Sequence, residues 1–350
     1  MNNARPPMHR RRRAMGRGGA TLRDVACAAG VSTATASRAL ARPEAVSDRL
    51  RDQVVRAATE LGYVPNVAAR ALSAQRSGVI GVITGSLEDV FARRATQALS
   101  RRLDGEGYAV YLTTGSGGPD STVRLAHRVL ARGADALALI GVDLPEDPGA
   151  LRQGGVLPPI ACLDQPTPGG KFAPFARAQA LELAARFLGE LGHRRLAMVA
   201  AGPGCRVGEI QDALSPADLT LIGLGSNGGQ EPQHAQKEAL SEALKQWLGM
   251  PRRPSALVCG SDAAAAAALR ECEAQGIAVP QQVSIIGFGD TELARQMRPA
   301  LSTLRIPADE AGVAAADFLL ATLRGEAFAV PKLGTKVVAR ESTGPAADRA

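Results

Sequence analysis

The chain has 350 residues, 45% of them hydrophobic and 21% charged, a soluble globular balance with length for two or three domains. Aromatics make up 3%, so a core must be built from Ala, Val, Leu and Ile, and the composition excludes a disordered, collagen-like or coiled-coil chain. The formal net charge of +7 sits at one end: residues 1–19 hold six Arg and no acid, residues 20–76 hold eight Arg and five acids, and the rest holds 27 basic and 29 acidic residues. That asymmetry points to a small polyanion-binding head on a near-neutral body. A solubilising role would account for Arg10–Arg13, but not for the Arg residues set within the helical pattern that follows.

No stretch reaches the ~18 consecutive apolar residues of a membrane span, and no apolar signal-peptide core follows the Arg-rich start. The five cysteines, Cys27, Cys162, Cys205, Cys259 and Cys272, are scattered and form no C-x-x-C. Reduced thiols in a cytoplasmic protein are expected, with neither a zinc ribbon nor a disulfide framework.

Residues 1–19 lack any apolar period and read as a disordered basic arm. From Thr21 the pattern turns helical. Thr21 caps a helix with Asp24 at its third position, and Leu22, Val25, Ala26 and Ala29 follow at helical spacing until Gly30 supplies a left-handed stop. Ser32 caps a second helix to about Leu40, with Ala36, Ala39 and Leu40 inward, and Pro43 ends the region. Ser47 caps a third helix with Val54, Ala58 and Leu61 on one face, stopped by Gly62. Pro65-Asn66 opens a short Ala-rich segment, Val67 to Ser73. The second helix follows the first by only a three-residue turn, which is the helix-turn-helix arrangement.

From Gly78 strand and helix alternate. Apolar runs predict strands at Val79–Thr84, Ala109–Leu112, Ala136–Ile140, Ile160–Leu163, Leu196–Ala200, Leu219–Gly223, Ala256–Cys259 and Val283–Phe288. Helical patterns at Phe91–Leu103, Ser121–Ala131, Ala178–Leu191, Gln233–Leu248 and Asp262–Gln275 separate most of them. Such spacing implies parallel sheets of βαβ units, and eight or more strands imply two sheets.

In a helix-turn-helix the second helix enters the major groove and its first residues meet base edges. Those residues here are Thr33, Ala34, Thr35, Ser37 and Arg38. Hydroxyls bond phosphates or bases, the Ala34 methyl suits thymine, and Arg38 can fork onto a guanine. The plainer alternative is a solvated helix face with one Arg.

The stretches TLRDVACAAGVSTATASRAL (residues 21–40) and VSDRLRDQVVRAATELGYVPNVAARAL (46–72) resemble the lactose/galactose-repressor (LacI/GalR) family in order and spacing. The resemblance continues through SGVIGVI (77–83), ELGHRRLAMVA (190–200), SDAAAAAALRECEAQGIAVPQQVSIIGFGD (261–290) and RPALSTLRIP (298–307). It implies an effector-controlled transcriptional regulator that binds pseudo-palindromic operator DNA as a homodimer. The implied fold is an all-α helix-turn-helix head and an α/β periplasmic-binding-protein-like body of two Rossmann-like subdomains around a ligand cleft. The corresponding boundaries are a head at 20–65, a hinge helix and linker at 66–77, and a body at 78–345. Within the body the first subdomain is expected at about 78–163 plus 291–325 and the second at about 164–290 plus 326–345.

The same resemblance adds Thr21, Leu22, Ser32, Ser47 and Asn66 to the DNA-contacting residues. It makes Leu72 a wedge that opens a minor-groove base step, with Ala69 beside it; packing against the partner hinge helix is the alternative for Leu72. Asp164, Arg206, Asp262 and Asp290 match effector contacts. An Arg forks onto a carboxylate or vicinal hydroxyls and an Asp accepts hydroxyl protons, which suits a sugar, polyol or sugar acid. Helix capping competes for Asp262, which follows Ser261 at a helix start. The chain departs from the family pattern at Gly289-Asp290, where two Asp are common, and at Ala176-Arg177, which replace an Asp-Asn pair. The GFGD wording and the PKLG–ARES ending look most like gluconate-type members.

Two other readings fare worse. An enzyme would need a nucleotide or metal site, but the glycines of AAGPGCRVG (200–208) miss G-x-G-x-x-G spacing, no G-x-x-x-x-G-K-[ST] occurs, and His9, His127, His193 and His234 have no metal spacing. No cofactor or metal is therefore expected, and His193 reads as a structural cap. An exported solute receptor would have no use for residues 20–76. No C-terminal leucine heptads follow the body, which favours a dimer over a tetramer.

Overall fold

The computed structural model describes residues 20–41, 45–63, 76–115, 118–164, 172, 174–199, 220–224 and 233–346. The basic arm and the expected hinge segment with Asn66, Ala69 and Leu72 lie outside the described residues, as does Arg206. The chain divides into two compact units, residues 1–75 and 76–350.

The first unit holds α1 (Leu22–Ala28), α2 (Thr33–Ala41) and α3 (Asp48–Glu60). Thr21 and Asp24 bond reciprocally: the Thr21 N–H donates to Asp24 Oδ2 at 2.9 Å, and the Asp24 N–H to Thr21 Oγ1 at 3.3 Å. Gly30 takes φ 61°, which lets the Val31 N–H return to the Ala26 carbonyl at 3.0 Å and ends α1 in a tight left-handed turn. Ser32 Oγ accepts from the Thr35 N–H at 3.0 Å and starts α2 at once. Gln53 Nε2 on α3 donates to the Ala29 carbonyl at 2.9 Å, tying the third helix to the turn between the first two. Val25, Ala26, Ala29, Ala36, Ala39, Val54, Ala57 and Ala58 make the core, whose small side chains let short helices pack closely. Ser47 occupies the cap position of α3, but its hydroxyl makes no cap bond.

In the body, β1 (Val79–Thr84), β2 (Ala109–Thr114), β3 (Ala136–Ile140) and β4 (Ile160–Cys162) form a parallel sheet in the order β2-β1-β3-β4. The helices α4 (Val90–Asp104) and α5 (Gly118–Ala131) connect them. The second sheet contains β5 (Arg195–Val199), β6 (Thr220–Leu224), β7 (Ala256–Cys259), β8 (Ser284–Phe288), β9 (Ser302–Arg305) and β10 (Lys336–Val338), in the order β10-β9-β8-β7-β5-β6. It is parallel except for β10, which runs antiparallel to β9. Its helices are α6 (Arg177–Glu190), α7 (Gln233–Gly249), α8 (Asp262–Ala274) and the short α9 (Glu292–Gln296), while α10 (Ala308–Arg324) follows β9.

One boundary differs from the expectation, which assigned 291–325 to the first subdomain. Ser302–Leu304 pair with Ile286–Phe288, so β9 belongs to the second sheet, and the chain returns to the first only at Ile306-Pro307. From there α10 packs along α4. Gly312 permits this: a Cβ there would lie 2.2 Å from the Ala95 carbonyl oxygen. A continuous apolar core joins the sheets, from Ile80 and Val82 on β1 to Met198, Val258, Ile286 and Leu304 on the second sheet. Phe175, on the link between them, stacks on Phe91 at 5.1 Å and tilts against Phe288 at 6.4 Å.

His193 is a structural residue. It is 1% exposed. Its Nδ1 lies 2.7 Å from Ser255 Oγ, and its Nε2 lies 3.1 Å from both Ser284 Oγ and the Gly344 carbonyl. A carbonyl only accepts, so Nε2 carries the proton and Nδ1 accepts from Ser255. Burial pushes this imidazole below its ordinary range. The unfolded chain takes up a proton near pH 6.5 that the folded ring resists, so this contribution is intact above about pH 6.5 and is lost progressively below it. Thermal unfolding should therefore show a midpoint that falls between pH 7.5 and 5.5. His193→Gln should be less stable at pH 7.5 by about 1–3 kcal/mol and should show a flatter acid limb. An unchanged acid limb in the variant would assign that slope to other groups.

Cys27, Cys162, Cys259 and Cys272 carry no disulfide among the described residues, and burial pushes the Cys272 thiol up to about 11. Cys205 lies outside them.

Candidate DNA interface and effector cleft

On α2, Thr33, Ala34, Ser37 and Arg38 are exposed, Thr35 is half-buried, and Ala36 and Ala39 are buried. The four exposed positions share one helical face, opposite the two alanines that anchor the helix. That face carries two hydroxyls, a methyl and a guanidinium, and Arg38 pairs with no carboxylate among the described residues. The other sequence-derived contacts in the head have structural duties as well. Thr21 and Ser32 hydroxyls serve the two helix starts, Leu22 packs half-buried against the core, and Ser47 is exposed.

Parallel sheets bind ligands beyond the carboxyl ends of their strands, where the strand order reverses. In the first sheet the order reverses between β1 and β3. Gly85 and Gly141 meet there so closely that a Cβ on Gly85 would lie 2.2 Å from the Gly141 carbonyl oxygen. Beside them Asp164, just past β4, accepts from the Gly141 N–H at 3.0 Å. Asp89 caps α4 through Oδ1, accepting from the Ala92 N–H at 2.9 Å. Arg177, the first residue of α6, donates to Asp89 Oδ2 at 2.9 Å, lies 3.8 Å from Asp164 Oδ2, and covers the Phe288 ring at 4.7 Å from its centroid. Its side chain is 3% exposed. One cation thus meets two carboxylates where the two sheets face each other. Burial pushes the Asp164 carboxyl above the usual carboxylate range, against the pull of Arg177 and the Gly141 N–H.

Asp262 and Asp290 are occupied differently. Ser261, not Asp262, caps α8, accepting from the Ala264 N–H at 3.1 Å. The Asp262 carboxylate is buried; its Oδ2 accepts from the N–H and the hydroxyl of Thr291, both at 2.8 Å, and its Oδ1 from the Thr303 hydroxyl. Gly287 makes room for it, since a Cβ there would lie 2.4 Å from Asp262 Oδ1. Asp290 is gripped by Arg305 at 2.7 Å, Arg340 at 2.5 Å and Arg295 at 3.4 Å. Burial pushes its carboxyl up, but the bonds from Arg340 and Arg305 outweigh this and hold it below the usual range. Of the sequence-derived effector residues, Asp164 stands with Asp89 and Arg177, while Asp262 and Asp290 stand in networks of their own. The sequence shows Arg177 only as a departure from the family pattern. Asp89, ahead of an apolar helix start, was legible as a cap. Among the described residues no group of His, Cys, Asp and Glu could hold a metal ion, and no helix is long and apolar enough to cross a membrane.

Residues 21–66 match the family of bacterial regulatory proteins, lacI family, and residues 185–343 match the periplasmic binding protein-like domain. The repressor CytR of Escherichia coli strain K12 is 30% identical over 325 residues, spanning 88% of this chain and 91% of that protein. The chain belongs to the LacI family. Another relative, the repressor PurR of Escherichia coli O139:H28, is 29% identical over 311 residues, 86% of this chain and 89% of that one. Among solved structures, the lac repressor dimer bound to operator and the anti-inducer ONPF superimposes with a TM-score of 0.78 at 25% identity, covering 93% of this chain and all of that one. A complex of the regulator CelR with cellobiose gives a TM-score of 0.61 at 26% identity, with 92% and 99% covered. These relatives are transcriptional repressors and regulators, not enzymes. In this LacI-family chain the helix-turn-helix face lies within the first matched segment, and Asp262, Phe288 and Asp290 lie within the second.

Proposed function

We propose that this LacI-family protein is a sequence-specific DNA-binding transcriptional repressor that acts in the cytoplasm, where its DNA lies. It binds a pseudo-palindromic operator as a homodimer and is controlled by a small-molecule effector. The observation that carries this reading is the exposed Thr33, Ala34, Ser37 and Arg38 face of α2, within the segment that matches the lacI family. We assign the effector, a sugar, polyol or sugar acid, to the cleft at the strand ends, where Asp164 and Asp89 accept hydroxyl protons; Arg206 is carried by the resemblance alone. Asp262 and Asp290 stand in networks separate from Arg177, which favours a supporting role for both. The complex of a related regulator with cellobiose favours a hydroxyl-rich ligand over a phosphate.

Arg38→Ala tests the DNA side. Fluorescence anisotropy with the operator should show a loss of about 1–3 kcal/mol and relaxed preference at one base pair, because a guanidinium reads the two acceptors of guanine. A uniform loss on every sequence would reassign Arg38 to a phosphate.

A further inference from the structure

The chain has one Trp, three Tyr and seven Phe, and every one of them falls within the described residues. An open aromatic face is a favourable platform for a ligand ring. At the strand ends the aromatics are Phe91, Phe175 and Phe288, which are 1%, 4% and 3% exposed. They close against each other, and the Arg177 guanidinium covers Phe288. The half-buried aromatics lie elsewhere: Tyr63 in the head, Tyr108 and Tyr111 at β2, Phe187 at the end of α6 and Phe328 beyond α10. Arg177 also holds Asp89 and faces Asp164, the acceptors that a ligand carrying vicinal hydroxyls or an amidine would use. A planar, delocalised cation of this chain thus covers the Phe288 face.

We propose that Arg177 is the specificity-determining residue of the effector cleft: it covers the aromatic face, so the cleft takes a non-aromatic, hydroxyl-rich effector and excludes nucleobases and aryl glycosides. This rests on the effector-cleft reading above. The chemistry of the exclusion is direct. A ring entering over Phe288 must displace a guanidinium that makes a charge-assisted bond to Asp89 and compensates buried Asp164. A polyol instead donates to Asp89, whose side chain is 29% exposed, while Arg177 stays in place. An anionic ligand meets two carboxylates against one guanidinium, so a neutral polyol is the better match.

The test uses the full chain and two probes, adenosine at 5 mM and methylguanidinium at 10 mM, with thermal unfolding as the readout. Wild type should shift with neither. Arg177→Ala vacates a slot of guanidinium shape over Phe288, and both probes should raise its midpoint, by about 3 °C or more if they saturate the slot. Should Arg177→Ala fail to fold because Asp164 is left uncompensated, Arg177→Ala/Asp164→Asn keeps the slot and removes the buried charge. Stabilisation of wild type by adenosine equal to that of the variant overturns the proposal, as does rescue of the variant by methylguanidinium without any gain for adenosine, which would leave Arg177 purely structural. Operator binding by wild type is measured in parallel. Its absence would sink the regulator reading and leave the outcome at Arg177 to stand by itself.

Discussion

Asp262→Ala is expected to destabilise the body by about 3 kcal/mol, because three donors aimed at one buried carboxylate lose their acceptor together. Hydroxyls can turn to other partners, so the Thr291 N–H carries the largest share of the cost. At about 2–4 °C per kcal/mol for a unit of this size, the midpoint should fall by about 6–12 °C. Asp262→Asn should cost less than half as much. Its carbonyl oxygen can accept from Thr291, and its amide can donate to the Thr303 hydroxyl, which already accepts the Asp290 N–H at 3.3 Å. Calorimetry on the three proteins checks the order. If Asp262→Ala unfolds like wild type yet no longer responds to an effector, the carboxylate faces ligand and the structural assignment fails.

The second large effect concerns DNA. Scrambling one half of a two-fold operator should weaken binding by about three orders of magnitude or more, toward the non-specific level. One head presents a single short helix face, and each lost base pair removes about 1–3 kcal/mol. A dimer with two heads doubles the readable surface, whereas a monomer would lose nothing when the unused half is changed. Anisotropy titrations at fixed salt against intact and half-scrambled duplexes decide between them, since phosphate contacts alone make affinity salt-dependent but not sequence-dependent. Equal affinities would overturn the two-headed reading.

Much of the architecture was legible from local pattern. Thr21 with Asp24, Gly30 and Ser32 specify a helix start, a left-handed stop and a second start within a dozen residues, and each acts through bonds to its own neighbours. The apolar runs from Val79 to Phe288 likewise gave strand positions to within a residue or two, because strands buried on both faces read as continuous hydrophobic text. β9, β10 and α10 lie beyond these runs. The sequence STLR is too short and too polar to announce a strand, and it pairs because Ile286–Phe288 stand beside it. The Ala-rich α10 helix shows its direction of packing only through the close approach of Gly312 to Ala95.

The candidate site divides the same way. The residue types on α2 could be picked out by spacing, because helix starts are local events, and the carboxylates after β4, β7 and β8 by the family resemblance. Which carboxylate is left to face a ligand could not. That depends on donors far along the chain: Thr303 and Thr291 for Asp262, and Arg305 and Arg340 for Asp290. It depends most of all on Arg177, which a sequence shows as a charge at a helix start, ordinarily solvated. Only the approach of Asp89, Asp164 and Phe288 from three separate strand ends makes burial of that guanidinium favourable. The sequence by itself determined a helix-turn-helix head, two parallel sheets and the family. The tertiary structure decided which polar groups satisfy one another, because desolvated charges choose their partners by distance in space and not along the chain.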